Sequence, residues 1–197
     1  MKNVWIFGHS LVDWAEKRAK SPEFGMQLGM DPNSVRVWWK GVQGMTWDQL
    51  VPQLHQLKLN WPNPDLLLIH LGDNDINKST TEDLLSAIKR DLTSIHSIFP
   101  RCRIVWSDIL PRRFWKDGSG IIEDVDGSVN TLCGTINRRV HSIVAELGGS
   151  AVTHESIGSG LYRPNGIHLS KRGIDTFNLN LQDYLEKWES EMSQDTH

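Results

Sequence analysis

Five short apolar runs punctuate the chain, at residues 3–7, 35–39, 66–71, 103–107 and 151–153. In the third, Leu66, Leu67, Leu68 and Ile69 are apolar at consecutive positions, the pattern of a strand covered on both faces. Between the runs, apolar residues recur at helical spacing. Leu50, Val51, Leu54 and Leu57 form one stripe, with Thr46 and Gln49 placed as a capping box and Pro52 blurring its start. Leu84, Leu85, Ile88, Leu92 and Ile95 form a second, which ends before Pro100. Leu132, Ile136, Val140, Ile143 and Leu147 form a third, closed by Gly148-Gly149. Ile174, Phe177, Leu181, Leu185 and Trp188 form a fourth, with Ser170 as its N-cap. A further helix begins near Leu11, directly after the first strand.

Strands alternating with helices predict βαβ units, and hence a three-layer α/β/α sandwich around a doubly wound, five-stranded parallel sheet. One domain is expected over residues 1–189, with 190–197 a frayed tail. Two irregular stretches, 111–128 and 154–169, are long enough to suggest function rather than connection. Ligands of such folds gather beyond the carboxyl ends of the strands. Those loops are where chemistry is to be sought.

Composition narrows the classes. A length of 197 residues fits one domain, and 21 Lys+Arg against 24 Asp+Glu gives a net charge of -3. That balance argues against a nucleic-acid binder working through a basic face. No run reaches the ~18 apolar residues of a membrane span, and the opening residues lack a signal-peptide pattern. Cys102 and Cys133 sit in apolar contexts without metal-ligand spacing, as reduced core thiols of a cytoplasmic protein would. Nine tryptophans against two tyrosines stand out.

The strand ends carry the chemistry. Gly8-His9-Ser10 sets a serine at a helix N-terminus, beside backbone N–H groups that can stabilise an oxyanion. An ordinary N-cap serine is the plainer alternative. Gly41-Val42-Gln43-Gly44 follows the second strand as a loop of close backbone approach, or a simple turn. His70-Leu71-Gly72-Asp73-Asn74-Asp75 ends the third, where Asn74 can donate its amide; its spacing lacks the ladder of a calcium loop. Tyr162-Arg163-Pro164-Asn165-Gly166-Ile167-His168 precedes the last helix, and the other seven histidines show no comparable setting. No histidine pair has zinc spacing, so no metal is expected. Nucleophile, oxyanion donors and general base are the parts that acyl transfer needs.

In order and spacing, Gly8-His9-Ser10, Gly44, Gly72-Asp73-Asn74-Asp75 and Asn165-Gly166-Ile167-His168 resemble the four blocks of the SGNH (GDSL-like) hydrolases, over nearly the whole chain. The wording of Val4–Ser10, Val37–Gly41 and Gly44–Trp47 is similar to one branch, the esterase domains of vertebrate, especially fish, LINE-type retrotransposon first-reading-frame proteins. The resemblance implies a flavodoxin-like sheet, Ser10 as nucleophile and His168 as general base. It further implies Ser10 and Gly44 as backbone donors and Asn74 as side-chain donor to the oxyanion. The implied activity is hydrolysis of acetyl, other short-chain acyl or lipid esters through an acyl-serine intermediate, without a cofactor.

Two positions depart from the family pattern. His9 replaces a frequent Asp at a variable place. Asn165 stands where the triad Asp is usual, and its amide brings no charge to orient and stabilise the imidazolium; the comparable change in a serine protease costs ~10⁴ in turnover. Asp108, at the end of the fourth strand, is the nearest substitute carboxylate by topology. The competing reading is an esterase-like binding module with little turnover, holding an acylated sugar, lipid or protein partner. Trp39 and Trp47 flank the 41–44 loop and Trp115 lies in the 111–128 stretch, making them candidates for an acyl or alcohol pocket. Trp5, Trp106 and Trp188 fall on core positions. The expected partner is a small-molecule or lipid ester, not nucleic acid.

Overall fold

The computed structural model describes residues 1–20 and 25–194. Strands β1 (Lys2–Gly8), β2 (Val35–Gly41), β3 (Leu66–His70), β4 (Arg103–Ser107) and β7 (Ser150–Val152) form one sheet, all parallel, in the order β2-β1-β3-β4-β7. Helices α1 (Ser10–Ala19), α2 (Leu50–Asn60), α3 (Thr81–Ile98), α4 (Ser128–Glu146) and α5 (Lys171–Gln194) cover its two faces. This is the expected three-layer, doubly wound architecture.

Strand parity divides the core. Val4 and Ile6 of β1 and Leu66 and Leu68 of β3 pack with α1 and α5 residues such as Val12, Phe177 and Leu181. Their neighbours Trp5, Phe7, Leu67 and Ile69 pack on the opposite side with Leu54, Ile88, Leu92 and Val140. Because both faces are covered, β3 is buried at every position, which is why its sequence is continuously apolar. Trp5, Trp106 and Trp188 are core residues, as their patterns imply.

The helix signals correspond to real ends. The Thr46 N–H donates to Gln49 Oε1 at 3.0 Å ahead of α2. Gly148 adopts φ +78 after α4, and the Ser170 hydroxyl accepts the Gly173 N–H at 3.2 Å. Two expectations need correction. The 111–128 stretch is not irregular throughout: β5 (Phe114–Asp117) and β6 (Gly120–Glu123) form an antiparallel hairpin outside the main sheet. Nor does the chain fray from Ser190, because α5 runs on to Gln194, where Met192 packs on the core; residues 195–197 lie outside the described residues. No described helix is long and apolar enough to cross a membrane.

The strand order reverses at β1 and β3. β1 pairs with β2 on one side and β3 on the other, so the loops leaving β1 and β3 part there and open a crevice. Gly8-His9-Ser10 and Gly72-Asp73-Asn74 leave those two strands.

Candidate active site

The turn after β1 is built by close packing. A Cβ on Gly8 would sit 2.1 Å from the His70 carbonyl oxygen, so only glycine lets β1 and β3 meet at this point. His9, not Ser10, is the N-cap of α1: its Nδ1 accepts the Leu11 N–H at 3.3 Å. The plainer alternative for Ser10 is thereby removed. Its hydroxyl is uncommitted at the first turn of α1, where backbone N–H groups lack helical acceptors.

The loop after β2 lies against this segment. The Val42 N–H donates to the Gly8 carbonyl at 2.9 Å, and Gln43 Nε2 to Asp13 Oδ2 at 2.9 Å. Asn74 Nδ2 donates to the Met45 carbonyl at 2.9 Å, and the Trp47 N–H to Asp75 Oδ2 at 2.9 Å. Those bonds clamp the turn after β3 to the Gly44 loop. One amide hydrogen of Asn74 is thus engaged, and its second donor is left over. Burial pushes Asp75 up to about 6.

Ser10 and His168 line one small cleft, with Leu11, Trp14, Asp73, Arg112, Tyr162 and Arg163 among its walls. Gly44, Asn74 and Asn165 are not among them. The loop bearing His168 is shaped by its own backbone: the Arg163 N–H donates to the His168 carbonyl at 2.8 Å, and the Arg113 N–H to the Gly166 carbonyl at 3.1 Å. Burial lowers the pKa of His168, and the charges of Arg112, Lys116 and Arg163 lower it further.

Asn165 does not hold the imidazole. It is exposed, and its Oδ1 accepts the backbone N–H groups of Ile167 at 3.0 Å and His168 at 3.1 Å, so it caps its own turn. Asp108 does not replace it. That carboxylate pairs with His141 Nε2 at 2.5 Å, and burial raises its pKa. Among the described residues, no side chain hydrogen-bonds the His168 ring.

Below the cleft lies a buried polar layer. His9 Nε2 stands 2.9 Å from Asp73 Oδ1, and Arg112 reaches Asp73 Oδ2 at 3.4 Å. The first contact is close but misaligned, an electrostatic contact rather than a directed hydrogen bond. Burial acts to raise the pKa of Asp73, but His9, His70 and Arg112 outweigh it and hold the carboxyl well below its ordinary range. A chain of bonds runs deeper: Asn180 Nδ2 donates to His154 Nδ1 at 3.0 Å, His154 Nε2 lies 2.7 Å from Ser107 Oγ, and Ser107 Oγ lies 2.9 Å from His70 Nδ1. The amide hydrogen fixes its direction. His154 then carries its proton on Nε2 and donates it to Ser107 Oγ. His70 Nδ1 faces both the Ser107 hydroxyl and, at 3.2 Å, the Ser107 carbonyl, and its Nε2 has no hydrogen-bond partner among the described residues. Burial keeps both rings neutral, lowering His70 to about 3 and His154 to about 4.

His9, His70 and Asp73 each offer a ligand atom within 4.8 Å of the others, the one such metal-competent group among the described residues. The His9 tautomer works against that use. Its Nδ1 accepts a backbone N–H, so a neutral ring carries its proton on Nε2, where a metal would need a lone pair.

The tryptophans assigned to a pocket are core residues. Trp39 is buried with Nε1 bonded to the Met26 carbonyl, and Trp47 is buried with Nε1 on Asp91. Trp115 is buried with Nε1 on Asn130, and touches the cleft only through Arg112, whose guanidinium sits 4.8 Å from its ring centroid. Trp14 is the tryptophan that lines the cleft. Sequence reading missed Asp73, His70, Arg112 and Arg163, and wrongly set aside the other histidines. His9 and His70 carried a signal, since each abuts a glycine turn at a strand end. Cys102 and Cys133 are buried free thiols, pushed up to about 12 by that burial.

No protein-family profile matches the chain, and no curated protein matches it. Solved structures do match its fold. It is similar to a carbohydrate esterase family 3 protein from Talaromyces cellulolyticus, with TM-score 0.69 and 14% identity over 97% of this chain and 99% of that one. A GDSL-like lipase from Bacteroides thetaiotaomicron superposes with TM-score 0.68 and 16% identity, over 94% and 88% of the two chains. A member of the lipolytic G-D-S-L family from Veillonella parvula gives TM-score 0.66 and 13% identity, over 93% and 97%. The chain therefore has the fold of these proteins.

Proposed function

We propose that the protein is an SGNH-type serine hydrolase of carboxylic esters, with short acyl groups as the first substrates to test. The observation that carries this reading is the shared cleft of Ser10 and His168, with Ser10 freed by His9 from capping α1. The names of its structural neighbours, lipases and an esterase, point the same way. In this reading His168 takes the Ser10 proton as the hydroxyl attacks the ester carbonyl. The Ser10 N–H receives the oxyanion. Gly44 and Asn74, on the adjoining loops outside the cleft walls, are the family-pattern donors whose part in it is left to mutation. His168 then protonates the leaving alcohol, and water releases the acyl group by the same steps in reverse.

His168 works here as half of a Ser–His dyad. Its depressed pKa keeps it neutral, and so able to accept a proton, at ordinary pH, but the same burial and positive charges destabilise the imidazolium that a carboxylate would have steadied. The binding-module alternative has less support, since nucleophile and base line one cleft. The narrower likeness to retrotransposon esterase domains and the cytoplasmic location rest on the sequence alone. Hydrolysis of 4-nitrophenyl acetate by the protein and by Ser10→Ala tests the proposal. Turnover lost in the variant supports it; equal turnover refutes it.

A further inference from the structure

The cleft adjoins a larger, more open groove, with Arg112, Tyr162 and Arg163 lining both. Arg113, Asp124, Asn130, Ser159 and Gly166 extend it. Three of its wall residues are arginines and one is an acid. That acid, Asp124, is turned away to other work, its two oxygens accepting the Val129 and Asn130 N–H groups at 3.0 Å each. Arg113 shares its charge with Glu123 at 3.1 Å, and Arg112 shares with Asp73 at 3.4 Å. Arg163 has no carboxylate partner among the described residues; its guanidinium lies 5.2 Å from the Trp14 ring centroid. The positive charge reaches the proposed base, since Arg112, Lys116 and Arg163 all depress His168.

Direction follows from the chemistry. A base that takes the serine proton returns it to the leaving oxygen, so the alcohol half of the ester faces His168. The groove opens from that side, on the same loop, through Arg163, Pro164 and Gly166. We propose that this arginine-lined groove takes an anionic leaving alcohol, one bearing a carboxylate or a phosphate. The proposal rests on the hydrolase reading and adds the substrate class to it. Arg163 supplies the uncommitted charge and Arg112 the buried one at the junction, stacked on Trp115.

Matched aryl acetates test this. 4-Acetoxybenzoate and 4-acetoxyphenyl phosphate carry the anion, and 4-acetoxybenzamide is the neutral counterpart. We expect kcat/KM for at least one anionic ester to exceed the amide by about tenfold, the scale of one charge-assisted hydrogen bond. Whichever anion gains more tells carboxylate from phosphate. The advantage should shrink as salt rises from low to physiological ionic strength. Arg163→Gln should cut the ratio several-fold, with Arg163→Lys restoring part of it. A ratio near one in the unaltered protein overturns the proposal, as does a ratio untouched by Arg163→Gln. If no ester is cleaved, the hydrolase reading fails alone, and calorimetric titration with 4-hydroxybenzoate and 4-hydroxyphenyl phosphate decides the groove. Binding that weakens in Arg163→Gln supports it; no binding of either compound overturns it.

Discussion

The pairing of Asp73 with Arg112 gives the site its floor, and replacing Asp73 by Asn measures its worth. The two side chains are 2% and 11% exposed and 3.4 Å apart. At that distance and an effective dielectric of about 20, their attraction is about 5 kcal/mol. Desolvation of both ions takes back much of this, but removing one partner strands the other, which typically costs about 3–5 kcal/mol. Asn retains the volume and an oxygen facing His9, so the expected loss is at the low end, about 3 kcal/mol. For a chain of this size that is a drop in Tm of about 6–12 °C. Urea unfolding followed by tryptophan fluorescence and far-ultraviolet circular dichroism reads it, with unchanged m-values required. Arg112→Met should lose less, because His9 still faces Asp73. The double variant should be more stable than the sum of the two losses by about 2 kcal/mol, the signature of a coupled pair. Additive losses, or an Asp73→Asn protein as stable as the parent, would refute the reasoning.

Asn165→Asp keeps an acceptor for the Ile167 and His168 N–H groups and adds a negative charge to the turn that bears the base; kcat on 4-nitrophenyl acetate should rise by roughly tenfold. An unchanged kcat in a folded variant would mean that a carboxylate at position 165 does not reach the His168 ring. The acid limb of kcat/KM should lie below pH 6.5, because His168 is depressed and only its neutral form accepts the serine proton. Activity is then full above that lowered pKa and lost as pH falls through it; a limb above 6.5 contradicts the assignment. His70 and His154 make the fold acid-sensitive, with folded values of about 3 and about 4. Between those values and ~6.5 the unfolded chain binds more protons than the native one, so stability falls as pH falls. The unfolding free energy from urea titration at pH 5 should lie below that at pH 7, by up to about 2 kcal/mol per histidine.

Much of this architecture is written in local pattern. The run from Leu66 to Ile69 could be read because a strand buried on both faces has no room for polar residues. The β5–β6 hairpin could not, because β6 is exposed at every position, and its adjacent Ile121 and Ile122 show neither the alternation of a half-buried strand nor the length of a buried one. Ser10, Gly44, Asn74 and His168 were legible as strand-end residues, since parallel α/β topology fixes where those ends point. The tryptophans were misread for the opposite reason. Nearness in sequence to a loop locates a backbone, not a ring. Trp39 shares strand parity with Val35 and Val37, and that parity already turns it into the core. Asn165 looked like a defective triad member, but an Asx side chain two and three residues before free N–H groups serves a turn first. Asp73, Arg112 and the chain from Asn180 to His70 were out of reach, because their partners are 26 to 47 residues apart or more and meet only once the sheet is assembled.

The nucleophile assignment bears on everything above it, and covalent labelling reads it without any assumption about substrate. Incubation with a fluorophosphonate, followed by digestion and mass spectrometry, should place one adduct on Ser10 of the unaltered protein. No adduct should form on Ser10→Ala, and labelling should slow sharply in His168→Ala. An adduct on another serine, or equal labelling of the Ser10→Ala protein, would contradict the account.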